Sequence, residues 1–264
     1  MLKKVKIQLD EKTHKYTILD EWEGMVLKRE ATNIISGSSF FKPYIDNSKF
    51  SADSKLYGLV AMNLGTSIHK VMEELVGHYK LHRKLDILIK IANKYAKDNV
   101  MLSNILFNTI DVLKIYENNI KDIDLEITSG IWDEDKDLLF CGTADLIIHT
   151  ATDIILVDYK TMLSMDNSTY SFIEIFHNTL DDLLNKGISY DYYLQENDLG
   201  YNDFLKLQKK ALNYIYQFGL YALLNGNDKI CMITSIKNDV YNINKENTIK
   251  LINLVKNKIK REYY

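Results

Sequence analysis

Apolar and polar residues alternate in two short pieces near the start of the chain, Val5-Lys6-Ile7-Gln8-Leu9 and Lys15-Tyr16-Thr17-Ile18-Leu19, joined by Asp10-Glu11-Lys12-Thr13-His14. A period of two over such lengths predicts half-covered strands, and the polar joint predicts a hairpin with His14 in its turn. Residues 36–55, rich in Ser, Phe, Asp and Lys and holding Pro43, predict a loop with short helices. From Tyr57 the spacing changes. Leu59, Met62, Leu64, Ile68, Val71, Met72 and Leu75 recur at three and four residues, so a helix is expected, with His69 and Glu73 a turn apart on one face. Two further helical stretches, 84–96 and 103–118, complete a helical layer.

The pattern then turns to sheet: a strand over 125–132, an acidic turn over 133–137, a partner over 138–148 and a third strand over 154–159. Residues 161–203 read as an insertion containing a helix near 172–185 and an aromatic, acidic piece at 190–198. The whole segment suits a lid or substrate-contacting loop, or equally an ordinary packed excursion. Residues 203–224 predict a long helix apolar on most sides, as expected when it is buried against a sheet, and Asn225-Gly226-Asn227 stops it. A late strand over 229–236 and a lysine-rich amphipathic helix over 245–261 follow.

The candidate chemistry lies in the sheet segment. Asp145 and Asp158 each sit against an apolar run, so both read as ends of buried strands. Asp158 and Lys160 are two apart and share a face, while Tyr159 points away. Two carboxylates and a lysine together suit a hard divalent cation such as Mg²⁺, which is held by one or two carboxylates plus substrate phosphate. The lysine can orient or deprotonate a water or offset phosphate charge, which makes phosphodiester hydrolysis the matching chemistry. These residues alone also allow a hairpin whose charges are merely solvated. The flanking apolar runs count against that reading, because charges at the mouth of a buried strand are unusual without a partner.

Composition narrows the class. A length of 264 residues suits one large domain, expected here as a single elaborated unit: 1–55 hairpin and loop, 56–160 helical layer and strands, 161–203 insertion, 204–264 helix, late strand and final helix. The 46% hydrophobic and 26% charged content argues against disorder. A net charge of −3 leaves any nucleic-acid attraction to local fields or to a bound metal. Cys141 and Cys231 are too few for a four-cysteine zinc or iron–sulfur site within this chain. The segment Met1-Leu2-Lys3-Lys4-Val5-Lys6 lacks a signal-peptide core, and no run approaches the ~18 apolar residues of a membrane span. A cytoplasmic protein with reduced cysteines and no membrane partner is expected.

Taken in order, Gly65-Thr66-x-x-His69 with Glu73, Gly142-x-x-Asp145, Asp158-Tyr159-Lys160 and Gln217-x-x-x-Tyr221 resemble the RecB-like branch of the PD-(D/E)XK nuclease superfamily. The opening, Ile7-Gln8-Leu9-Asp10 through His14-Lys15-Tyr16-Thr17, looks like the start of its phage members, and the likeness spans residues 5 to 236. The resemblance implies an α/β restriction-endonuclease-like core: a mixed central sheet flanked by helices, with an amino-terminal hairpin and an insertion after Lys160. It implies a Mg²⁺-dependent deoxyribonuclease, with Mn²⁺ as substitute, acting as an exonuclease in DNA recombination, repair or processing, in the host cytoplasm if phage-encoded.

By the same resemblance Asp145 and Asp158 bind the metal, His69 is a ligand or neighbour, the Tyr159 carbonyl completes the shell and Lys160 supports the attacking water. Gln217 and Tyr221 line the site and contact the nucleic acid. Helical geometry agrees, since they share a face; a Tyr ring can stack on a base while Gln donates to phosphate or carboxylate. Glu73 and Glu126 are candidates for supporting the metal, or else lie on a helix surface and a strand edge. DNA is the expected partner, with phage recombination or replication proteins or a second copy as further ones. Two alternatives remain: a non-catalytic DNA-binding or assembly protein on this fold, which the intact Asp-x-Lys opposes, and a structure-selective endonuclease, against which the His69 and Gln217 motifs count. There is no Gly-x-x-x-x-Gly-Lys phosphate loop, so helicase activity would need a partner.

Overall fold

The computed structural model describes residues 2–10, 13, 15–22, 25–41, 52–96, 99–161, 171–189 and 203–264. The strands are β1 (Leu2–Asp10), β2 (Lys15–Trp22), β3 (Met25–Glu30), β4 (Asn33–Ser36), β5 (Ile120–Asp133), β6 (Leu138–Thr150), β7 (Ile154–Lys160), β8 (Lys229–Thr234) and β9 (Val240–Ile243). The helices are α1 (Gly37–Phe40), α2 (Ala52–His82), α3 (Leu85–Ala96), α4 (Val100–Tyr116), α5 (Phe172–Leu184), α6 (Asp203–Asn225) and α7 (Lys245–Tyr263).

All these strands join one mixed sheet in the order β3-β2-β1-β5-β6-β7-β8-β9, with β4 added beside β6. The hairpin expectation is met at β1 and β2, where Ile7 faces Ile18, and β3 extends it into a meander. Strand β1 then docks antiparallel on β5, with Val5 opposite Gly130. Strands β7 and β8 run parallel, as do β4 and β6. The chain is thus an α/β protein with a large mixed sheet flanked by helices. Among the described residues no helix is long and apolar enough to cross a membrane.

Because both sheet faces are covered, the central strands read as nearly continuous apolar runs. One face packs Leu146, Ile148, Ile155 and Val157 against Ile68, Met72, Leu75, Leu88 and Ile105 of α2, α3 and α4. The other packs Phe140, Ile147, Leu156 and Met232 against Phe176, Leu212, Ile215, Phe218 and Leu251 of α5, α6 and α7. Each such side chain contributes about 1.5–3 kcal/mol. Local signals set the helix ends. Asn99 accepts from the N–H groups of Met101 and Leu102, Ser171 from Glu174, and Asn244 from Asn247. Helix α6 stops before Gly226, whose φ of +73° suits a glycine at that place.

Several expectations need correction. In the described part of the 161–203 segment, Phe172, Ile175, Phe176 and Leu180 of α5 belong to the main core, so its amphipathic stripe packs against α6 and the sheet, as the packed-excursion alternative has it. The 190–198 piece, His14 and residues 42–51 lie outside the described residues. Strand β5 begins at Ile120, earlier than its apolar run suggested, because the buried Ile123 pairs with Ile148 of β6 while the flanking Asp122 and Asp124 face Lys80 of α2 at 3.2 and 3.6 Å. Asp145 is not at a strand end but inside β6.

That last point defines the architecture. On one edge, β6 is paired with β4 through residues 138–141 and with β7 through residues 146–149. Residues 142–145 lie between these two partners; among the described residues 142–144 pair only with β5, and Asp145, level with Glu126, falls where that ladder is interrupted. The Tyr221 ring from α6 fills the gap. A Cβ added to Gly37 or to Gly142 would stand 2.2 Å from Tyr221 Cε1, so both positions need glycine for close approach. Level with the gap, Glu126 of β5 has φ +52°, a left-handed conformation that costs a non-glycine residue about 1–2 kcal/mol. Across that point both strands change faces: Leu125 and Leu146 pack toward α2–α4, whereas Ile127 and Ala144 pack toward α6.

Overpacking at the gap gives the first testable consequence. Gly142→Ala is expected to destabilise the protein by about 1–3 kcal/mol, read from urea unfolding midpoints. Adding Tyr221→Ala should cost less than the two single losses summed, because the new methyl then enters vacated space. Strict additivity would show that the ring does not set the glycine requirement.

Candidate active site

Strands β6 and β7 pair as far as Leu146 opposite Val157 and then part, β7 continuing along β8 with Asp158 opposite Met232 and Lys160 opposite Thr234. The backbone N–H of Tyr159, no longer facing β6 main chain, donates instead to Asp145 Oδ2 at 2.8 Å. The fork therefore brings Asp145 and Asp158 together. The period-two expectation holds here: Tyr159 packs against the α2–α4 core, while Asp158 and Lys160 turn toward α6.

Asp158 is 2% exposed, whereas Asp145 is partly open to solvent. Lys160 Nζ lies 2.6 Å from Asp158 Oδ2, and the lysine side chain is only 12% exposed. Beyond that ammonium, this buried oxygen has no partner among the described residues. Lys160 Nζ donates to Gln217 Oε1 at 3.0 Å, and Gln217 Nε2 donates to Tyr221 Oη at 2.9 Å. The ammonium also lies over the Tyr214 ring, 4.5 Å from its centroid, and 5.3 Å from that of Phe218.

Electrostatics follow from burial. Desolvation first, and the Asp158 charge second, hold the Asp145 carboxyl up at about 7; Lys160, the Tyr159 N–H and His69 pull the other way. Asp158 is also raised, by burial against the opposing pull of Lys160. Burial works to lower Lys160, but the Asp158 charge, then Tyr214 and Asp145, overcome it and keep the amine above its ordinary range. These neighbours favour the charged form of the lysine. Tyr221 stays a phenol, raised by burial and then by Asp158.

Not every expected residue converges. His69 Nδ1 is 2.7 Å from Glu126 Oε1, so Glu126 stands beside the histidine and not at a plain strand edge. Glu73 is exposed on α2. The surroundings of Gly65 and Thr66 lie outside the described residues. Tyr221 is 6% exposed, its ring packed against Gly37 and Gly142, and its hydroxyl accepts from Gln217. Tyr214 and Gly37 were missed. Tyr214 sits one turn before Gln217 and was hidden among the apolar residues of α6, while Gly37 lies far away in sequence.

Among the described residues no three His, Cys, Asp or Glu side chains converge into a ready ligand cage. The donor set nonetheless fits a hard cation, since two carboxylates, one buried with an unclaimed lone pair and one solvent-accessible, match how Mg²⁺ is held when waters and phosphate complete its shell.

No family model and no curated protein matches the sequence. Among solved structures, one described as the crystal structure of SSO0001 aligns over 89% of this chain and 78% of that chain, at 13% identity and a TM-score of 0.31. A likeness that slight carries no argument about fold or function.

The raised Asp145 carboxyl sets a sign for stability. Its folded-state value lies above the unfolded one, so the folded form binds a proton that the unfolded form has already lost between about pH 4 and about pH 7. That contribution is fully present below the window and gone above it. In chelator, Asp145→Asn should therefore gain stability relative to the parent protein more at pH 8 than at pH 5, by urea unfolding. Equal differences at the two pH values would contradict a strained carboxylate.

Proposed function

We propose that the chain is a metal-dependent deoxyribonuclease of the PD-(D/E)XK type, in its RecB-like branch, hydrolysing DNA phosphodiesters. The observation that carries this reading is the fork itself: Asp145 bound to the Tyr159 N–H beside the buried pair Asp158 and Lys160. Charges so placed at the opening of a sheet are costly to keep unless they serve a cation and an anionic substrate.

Asp145 and Asp158 would hold Mg²⁺ or Mn²⁺, with His69 as a further ligand; the cation supplies a Lewis acid for the phosphate and lowers the pKa of a bound water. Lys160 contributes as an ammonium. Of its three donors, one goes to Gln217 and one faces Asp158, which leaves one for a phosphate oxygen on which negative charge develops. Gln217 fixes that geometry: its oxygen accepts from Lys160 while its amide donates to Tyr221, so its orientation is set from both ends. The rings of Tyr214 and Phe218 hold water off the ammonium and strengthen its field. DNA is the proposed substrate, and exonuclease action the proposed mode.

Purified Asp158→Ala and Lys160→Ala should each lose Mg²⁺-dependent cleavage by roughly 10²-fold or more, as is typical when a group stabilising developing charge is removed, while remaining folded by circular dichroism, although each leaves its buried partner unpaired and unfolds at lower urea than the parent. End-labelled linear DNA should be degraded and closed circles spared. A folded Asp158→Ala protein cleaving at the parent rate would sink the assignment, and equal attack on circles would make it an endonuclease.

A further inference from the structure

Helix α6 carries a stripe of residues that leads out of the site. Lys210, Tyr214, Gln217 and Tyr221 follow one another at four, three and four residues, so they lie along a single helix face. Three of these side chains meet the site. Gln217 accepts from Lys160 and donates to Tyr221, and the Tyr214 ring lies beside the Lys160 ammonium. From Tyr221, at 6% exposure, the stripe ends outward at the half-buried Lys210, one turn beyond Tyr214. The Lys210 ammonium lies 5.7 Å from the centroid of the Tyr214 ring and 6.0 Å from that of Phe172, the first residue of α5. Lys160 Nζ lies 4.5 Å from the same Tyr214 centroid. The two ammonium groups share one ring, and their separation cannot exceed the sum of 5.7 and 4.5 Å, about 10 Å.

We propose that Lys210 binds a second phosphate of the nucleic-acid strand whose scissile phosphate meets Lys160. The inference rests on the nuclease reading above and concerns how the strand is held. One strand presents a negative charge every ~3.4 Å of rise, so two cations this close match phosphates of one strand at most a few nucleotides apart. With a net charge of −3 the chain as a whole does not attract DNA, and attraction has to come from local positive tracks of this kind. The aromatic setting fits the role. Phe172 and Tyr214 both pack into the main core, so an ammonium held against their rings is confined before substrate arrives, which lowers the entropy cost of ordering it. Lys160 then acts where charge develops, and Lys210 acts equally on substrate and transition state.

The test uses the full chain and separates binding from chemistry. Lys210→Met keeps an unbranched side chain beside the rings and removes the charge. In Mg²⁺-dependent cleavage it should raise KM for DNA roughly 3- to 10-fold at 50 mM monovalent salt, the order of one phosphate contact, with a smaller change in kcat. The dependence of log KM on log salt should become shallower by about 0.7 for single strands or 0.9 for duplex. Lys210→Arg, which keeps the charge, should retain the parent KM and slope, and Lys256→Met, on the exposed side of α7, should alter neither. A parent-like KM and slope in Lys210→Met, a slope as shallow in Lys210→Arg, or an equal change in Lys256→Met would each overturn the inference. If the parent cleaves no DNA in Mg²⁺, the nuclease reading falls and this inference with it; if the parent cleaves and Lys210→Met matches it at every salt concentration, only the inference falls.

Discussion

The hydrogen bond from the Tyr159 N–H to Asp145 Oδ2 is the contact on which the rest of this site depends. A buried main-chain donor must find an acceptor, and where β7 leaves β6 the strand ladder no longer supplies one. A side-chain carboxylate takes its place. The fork is stable because that bond is made, and the carboxylate that makes it is thereby held near a second buried acid. The unusual electrostatics of Asp145 and Asp158 are thus a product of the same hydrogen-bond requirement that shapes the sheet, with Lys160 supplying the counter-charge.

Helix α6 closes the arrangement from above. Its apolar face seals the core under β6 and β7, and its polar positions hand a chain of hydrogen bonds from Lys160 through Gln217 to Tyr221. The Tyr221 ring then occupies the space between β4 and β7 that a continuous sheet would have filled with backbone. Two glycines from distant parts of the chain accommodate it. Sheet gap, aromatic plug and charged site are therefore one construction, and a change in any of them is felt in the others. On the far side of β6, the left-handed Glu126 ties α2 to the same level of the sheet through His69.

Much of this was legible in the chain. The period of two placed β1 and β2, continuous apolar runs placed β6 and β7, and helical patterning placed α2 through α7, because burial leaves its mark on residue order. The same periodicity correctly set Asp158 and Lys160 on one face with Tyr159 on the other. It could not place β4 or β9, each of four residues, since so short a strand carries no repeat to read. It misjudged the start of β5, whose charged Lys121, Asp122 and Asp124 flank a single buried Ile123.

By itself the sequence determined the alternation of elements, the two covered faces of the sheet, and the pairing of carboxylates with a lysine, because these depend on local spacing and on which side chains avoid water. Tertiary structure alone decided that Asp145 would stand within a strand at a fork, that the Tyr221 ring would fill a gap in the sheet, and that Glu126 would stand beside His69. Those outcomes turn on which backbone groups lack a partner and how closely distant segments approach, and neither quantity is written in the order of residues along one strand or helix.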